Sequence, residues 1–357
     1  MRASRPAARP HDRRTTLSYT DDILADVQGQ IAADDDALAE ARDRTNLVLE
    51  SALKFPGARR TFRSGSLAVH TFNDPVTDGD GGVVLDRRYY PSLGPDGGGE
   101  IPNGIVGEMC ALLGPEIRKT YPNARCHTSK RGPKMLFGAP LKGQDPTVDL
   151  VVALDRRGAD GLWIPHLVKR RWDASHPEEH VRLLNAEPLS LRRLRRRVIR
   201  LLKAWNKQWS DPAFSSFHLS VLTLLYVESG MSVGTALRTV FEKAAKYLER
   251  GDNTKDPAGV SLPIKLLLHR SVAVDRLQKA ATNMALALDH DDDEQIVQTA
   301  LNRVFRDYVD PPASDSLGSA VSGLRDVTGV GTALLGLRPS THTVSTTRRA
   351  FGGPASR

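Results

Sequence analysis

A chain of 357 residues that is 40% hydrophobic can fill one large core or two modest ones. No apolar run approaches the ~20 residues a helix needs to span a bilayer, so no transmembrane helix is expected. The net charge of +8 invites a nucleic-acid reading, but the excess sits at the ends: five arginines against one aspartate in residues 1–14, five against two in 311–357. The body between them is nearly neutral, whereas a duplex-binding enzyme would carry a basic surface. Cys110 and Cys126 lack metal-ligand spacing and read as ordinary thiols in a reducing compartment. Arg13-Arg14 is followed by no apolar stretch, so no signal peptide is expected, and the expected location is the cytoplasm.

Residues 1–19, rich in Arg, Pro and Ala, are expected to be a disordered basic arm. Thr20 and Asp21 open one long helical pattern, weakened at Gly29 and stopped by Phe55-Pro56-Gly57. A short strand at 60–63 leads into Gly65-Ser66. The stretch Asp78 to Leu85 reads as a strand, although Asp-Gly-Asp-Gly-Gly is also a turn composition. A Gly- and Pro-rich loop over 91–104 precedes a helix from Ile105 to Tyr121. Further strand candidates lie at 125–137, Thr147 to Leu154 and 162–165.

Beyond that point the texture turns helical. In "SLRRLRRRVIRLLKAWNKQW" (190–209), Leu191, Leu194, Val198, Leu201, Leu202, Trp205 and Trp209 fall on one helical face. The run "RRLRRR" within it reads first as a solvated face and second as a patch for an RNA or protein activator. Helices follow at 215–229, 232–249, 273–289 and 292–309; "HDDDE" (290–294) reads as the acidic start of the last one. Strands early and helices late predict an α+β fold, a mixed sheet flanked by helices and packed on a helical domain. The expected layout is 20–185 for the core with its N-terminal helix, 186–310 for the helical domain and 311–357 for a flexible tail.

On a strand, residues two apart face the same way. Asp78 and Asp80 would therefore present two carboxylates side by side, which repel unless a cation lies between them. Mg²⁺ takes oxygen ligands and keeps substrate phosphates in its shell. Two such ions ~3.5–4 Å apart need a further carboxylate. Asp149, the lone charge in "TVDLVVAL", suits that role, since a carboxylate in an apolar strand is costly without a partner; its plainer reading is a strand-edge acid. Gly65-Ser66 would bring backbone N–H groups and a hydroxyl to a phosphate tail.

Gly65-Ser66, Thr71, Pro75, Asp78-Gly79-Asp80 and Asp149 together resemble the polymerase-β-type nucleotidyltransferase core. More narrowly they resemble the CD-NTases, bacterial relatives of cyclic GMP–AMP synthase and oligoadenylate synthetase. "RLLKAWNKQW" (200–209) is similar to the oligoadenylate synthetase helix whose Lys touches the triphosphate, here Lys203. "FSSFHLSVLTLL" (214–225) is similar to a segment in which Ser contacts phosphate and an aromatic ring stacks on the base, here Ser216 and Phe217. The plainer readings are a solvated Lys203 and a core Phe217. "RWDASHPEEHVRLLN" (171–185) resembles a linker of the same enzymes.

The resemblance covers roughly residues 60–230. It implies an enzyme of anti-phage signalling that joins nucleoside triphosphates (ATP, with GTP or pyrimidine nucleotides) into a cyclic di- or trinucleotide read by a downstream effector. Asp78, Asp80 and Asp149 would be its metal ligands and catalytic groups, with two Mg²⁺ ions or Mn²⁺ in their place. Gly65, Ser66, Lys203, Ser216 and Phe217 would bind nucleotide. The alternatives are linear or RNA-terminal transfer, or a silent nucleotide-binding protein. The residue between the two acids is apolar in the family and is Gly79 here, a glycine expected to loosen the strand and the pose of the two carboxylates. No Cys/His cluster resembles a zinc thumb, so activation by double-stranded DNA is not implied. Gly352-Gly353 near the end resembles a substrate for a ubiquitin-transfer-like partner, against the plainer reading of an end with no role.

Overall fold

The long helical pattern at the start breaks into two helices, for a local reason. In the computed structural model, which describes residues 18–312, the Ser18 side chain caps α1 (Tyr19–Gln30) by accepting from Asp21 N–H. Asp34 then starts α2 (Asp35–Ala52), accepting from the N–H groups of Asp36 and Ala37. Three successive aspartates offer side-chain acceptors that favour a helix start over a helix interior. The N-terminal arm and the C-terminal tail, with Gly352-Gly353, fall almost wholly outside the described residues.

The strands follow as β1 (Ala58–Ser64), β2 (Asp78–Leu85), β3 (Arg125–Thr128), β4 (Pro133–Leu136), β5 (Thr147–Asp155), β6 (Leu162–His166) and β7 (Arg171–Ser175). The five-residue helix α3 (Gly65–Val69) follows β1, α4 (Asn103–Arg118) follows β2 and α5 (Pro177–Leu184) follows β7. The sheet order is β1-β2-β5-β4-β3, with β6 pairing β5 and β7 extending from β6. Only β2 and β5 run parallel; the other pairs are antiparallel, so the sheet is mixed.

One sheet face is the core face. Val83 and Leu85 of β2, with Val148, Leu150, Val152 and Leu154 of β5, pack on Val48 and Leu49 of α2 and on Met109, Leu113 and Ile117 of α4. The other face holds a small apolar cluster around Phe62, Val84 and Ala153. At its end it carries Asp78, Asp80 and Asp149, because alternate residues take alternate faces.

The helical half comprises α6 (Leu189–Lys207), α7 (Ser216–Tyr226), α8 (Val233–Glu249), α9 (Arg270–Asp289) and α10 (Glu294–Val304). The expected face of α6 is the buried one: Val198, Leu201, Leu202 and Trp205 are sealed, with Leu191, Leu194 and Trp209 beside them. Leu24, Val27 and Ile31 at α1 join this same core. Asp293 caps α10, as its acidic start implies. The arginine run is more than a solvated face. Arg192 donates to Asn185 O, Arg195 to Leu224 O and Val227 O, and Arg200 to Ile31 O. Two of the five arginines of the run, with Arg200 beyond it, thus close open backbone carbonyls, the last turn of α7 among them. No helix among the described residues is long and apolar enough to cross a membrane.

Arg44 of α2 ties the helix to the approach of β5. It is fully buried, bonds Glu40, Asp145, Ala139 O and Pro146 O, and lies over the Phe137 and Tyr121 rings. Removing one member of a buried charge network leaves its partners uncompensated. Arg44→Ala is expected to cost about 3 kcal/mol in denaturant unfolding, and Arg44→Lys to recover little of it, because a point charge does not replace the planar fork. A loss under about 0.5 kcal/mol would remove Arg44 from the fold's essential contacts.

Candidate active site

The candidate site begins as a single rung of the sheet. Ser64 of β1 pairs with Asp80 of β2, Asp80 with Asp149 of β5, and Asp149 with Lys134 of β4. Paired residues share a face, and neighbouring strands lie ~4.8 Å apart. Asp78 stands two residues before Asp80 on that face, opposite Thr147. Asp-Gly-Asp-Gly-Gly is therefore strand, not turn, and the apolar pairing of Val83, Val84 and Leu85 beyond it holds it there.

Two glycines make the arrangement possible. Gly65 has φ +66°, and a Cβ there would meet Asp80 Oδ2 at 1.8 Å. The Asp80 carboxylate lies directly against the bare backbone that opens α3. Gly79, between the acids, is pressed by α2, where a Cβ would meet Thr45 Oγ1 at 2.1 Å. The glycine does not loosen the strand; it lets the helix lie close beneath it. Burial first, then the charges of Asp78 and Asp149, push the Asp80 carboxyl up to about 6.

Two of the carboxylates have partners within the protein. Asp149 Oδ2 takes the Lys134 ammonium at 2.7 Å, and Asp78 Oδ1 accepts from Thr77 Oγ1 at 2.9 Å. Among the described residues no three acidic, His or Cys side chains stand preassembled as a metal cluster. The backbone register keeps the three carboxylates neighbours.

A cleft of about 480 Å³ opens beside the rung. Gly65, Ser66, Asp78, Asp80, Lys203, Ser216 and Phe217 all line it; Asp149 is not in the lining and joins only through its pairing with Asp80. Lys203 is not a solvated lysine. It is buried, and its Nζ donates to Thr71 O at 2.8 Å. Burial and the neighbouring Lys207 pull its ammonium down to about 8, against the opposing pull of Asp78 and Asp80. Phe217 is half-buried, stands in none of the hydrophobic clusters of the described residues and packs on the ring of His180.

The sequence matches no family model and no curated protein. Solved structures do match. CdnG of Bradyrhizobium diazoefficiens in complex with GTP superposes with a TM-score of 0.61 at 14% identity, over 81% of this chain and 96% of that one. CdnC of E. coli MS115-1 with ATP gives 0.60 at 16%, over 81% and 97%. DncV of Vibrio cholerae, a cyclic AMP–GMP synthase, gives 0.53 at 12%, over 81% and 96%. The chain has the CD-NTase fold. That is the polymerase-β-like α+β architecture, spanning nearly the full length of these relatives.

Within the CD-NTase fold four site residues escaped sequence reasoning. Lys134 is separated from Asp149 by a hairpin, and only strand pairing reveals it. Lys207 follows Lys203 by one helical turn, which was a readable spacing. His180 reaches the cleft from α5, and Asp256 binds it from a loop 76 residues away. No local pattern announces such a pair.

Two predictions follow from this geometry. Gly65→Ala would force a side chain into the Asp80 carboxylate and strain a left-handed backbone, costing roughly 2 kcal/mol in denaturant unfolding. Any rise in melting temperature caused by Mg²⁺ should shrink with it; unchanged stability and an unchanged Mg²⁺ response would refute the cradle. The second concerns His218, sealed in α7 with Nε2 on Thr254 Oγ1 at 2.7 Å and pushed down by burial from 6.5 to about 4. Between those values the unfolded chain binds the extra proton, so stability falls as pH drops from 6.5 toward 4. Wild type should lose about 3 kcal/mol more than His218→Gln over that window. Parallel stability–pH curves for the two proteins would show that His218 does not titrate as described.

Proposed function

We propose that this protein is a nucleotidyltransferase that joins nucleoside triphosphates and closes them into a cyclic oligonucleotide second messenger of anti-phage signalling. The observation that carries the reading is the rung: Asp80 and Asp149 in register on parallel strands, with Asp78 on the same face, beside a cleft that holds a buried lysine. Three all-oxygen donors crowded on one face fit Mg²⁺, or Mn²⁺, better than softer metals, and a cation would offset the burial and the like charges that raise Asp80. Asp78 and Asp80 would hold two ions and Asp149 one of them. Bound there, the cations would activate the ribose hydroxyl and neutralise charge on the phosphoryl group and leaving group.

The chain's own residues do the positioning. The Gly65 backbone and the Ser66 hydroxyl meet the triphosphate tail. Lys203 exchanges its Thr71 carbonyl for phosphate oxygens, whose negative charge favours the ammonium form. Ser216 adds a hydroxyl donor, and Phe217 offers a ring to the base. As the ribose oxygen attacks the α-phosphorus, Asp149 accepts its proton and the bond to the bridging oxygen of pyrophosphate breaks. Closure repeats this step within the linear product, which turns round in the cleft. Positioning and charge stabilisation supply most of the rate.

The relatives bound to GTP and ATP support those two nucleotides as first substrates, and with them a cytoplasmic setting. The complex of CdnC with HORMA-deltaN supports a search for a regulatory protein partner. Purified protein with ATP, GTP, CTP, UTP and Mg²⁺ is expected to yield phosphatase-resistant products. Asp78→Ala with Asp80→Ala should lower the yield by about 1,000-fold or more. Phosphatase-sensitive oligomers would redirect the reading to linear synthesis, and labelled tRNA without small products to RNA-terminal transfer. Bound nucleotide with no product, and no effect of the double substitution on any measured activity, would leave a silent nucleotide-binding protein.

A further inference from the structure

Val69, Phe72, Pro75 and Val76 line the cleft on the side of its carboxylates, and a second apolar wall comes from different elements. Asp78 and Asp80 belong to β2, whereas Pro177, His180, Val181 and Phe217 come from α5 and α7. A nucleotide has the same division, a flat base and a polyanionic tail. The His180 and Phe217 rings stand 4.6 Å apart, centroid to centroid, at 47°.

Behind His180 stands Asp256, in the loop between α8 and α9. Its side chain is 1% exposed, and its Oδ1 meets His180 Nε2 at 2.6 Å. The same oxygen accepts from Ala258 N–H, while Oδ2 accepts from Val260 N–H, Ser261 N–H and the Ser261 hydroxyl. Burial would raise such a carboxyl, yet the bonds from Ser261, His180 and Ala258 hold it down near 2. Asp256 is thus an acceptor only, so Nε2 carries the imidazole proton. Both carboxylate oxygens are already satisfied, so Asp256 has nothing left to offer a ligand directly. Whatever it does for the site, it does through His180.

We infer that Asp256 is a positioning residue of a nucleobase subsite: it fixes the imidazole of His180 against Phe217, and the two rings form the wall on which the base of a bound nucleotide packs. The inference rests on the nucleotide reading above and adds a residue that never touches the ligand. A purely architectural contact between α5 and the loop would hold the helix without favouring base over phosphate. The wall does favour it, because a ring fixed before binding costs less order to use.

The test compares a non-hydrolysable ATP analogue with inorganic tripolyphosphate, both with Mg²⁺, by titration calorimetry. His180→Ala is expected to weaken the analogue about tenfold and to leave tripolyphosphate within about twofold. Asp256→Ala should match it, and the double variant should lose no more than either single one, because both act on one ring. His180→Phe, which keeps a ring, should recover part of the affinity even if Asp256→Ala folds poorly. Parallel loss of analogue and tripolyphosphate would make the pair structural and overturn the inference, as would an unchanged analogue affinity in both alanine variants. Wild type that binds the analogue no tighter than tripolyphosphate would remove the base subsite and leave the phosphate site standing. Wild type that binds neither would remove the nucleotide reading itself.

Discussion

Everything at the site depends on the parallel register of β2 against β5. Residues 148, 150, 152 and 154 point into the core with 83 and 85, and only then do Asp80 and Asp149 fall opposite each other on the open face. A slip of one residue would drive Asp149 toward α2 and α4 and lift a valine or leucine into solvent. Core packing on one face therefore enforces charge crowding on the other. No feature of the carboxylates themselves could set their spacing, since they repel.

That crowding is held rather than relaxed. Asp80 lies against Gly65 with no room to withdraw, and its carboxyl is raised to about 6. Asp149 finds Lys134, one strand further along the same rung. The ion pair sets a positive charge beside Asp149 on the same face as the other two carboxylates. Strain of this sort, tolerated by a well-packed scaffold, is characteristic of sites that bind or react.

Much of this was legible in the residues. The i, i+2 aspartates, the lone charge in a valine-rich strand and the apolar face of α6 are local patterns, and local periodicity reports which side of an element a residue takes. Gly79 was misread as a weakness because its function lies in α2, which sequence spacing does not bring near. Phe217 remained undecided between core and cleft for the same reason: its environment is His180, from another helix. The single long helix was a failure of another kind. Three aspartates at 34–36 compete with the backbone for N–H groups, and the pattern alone does not say whether they cap or merely decorate. The basic run of α6 was legible as charge but not as a set of carbonyl partners, because its acceptors lie in α7 and at Ile31 and Asn185.

The same distant contacts explain how a cleft stays open between a sheet and a helical bundle. Asn73 donates to Arg200 O and Asn185 to Ala68 O, so the chain around α3 is pinned to the start and middle of the helical half. Lys203 adds a third tie through Thr71 O. The first two are made by side-chain amides, Asn73 also accepting from Arg200 Nε, and neither involves the Lys203 ammonium. The third is a buried ammonium on a neutral carbonyl, near carboxylates that favour its charge and a lysine that opposes it. A polyanion is a better partner for it than a carbonyl. Binding a triphosphate would thus exchange the one tie able to gain from it and leave the other two to hold the walls apart, so the cleft can change partners without changing shape.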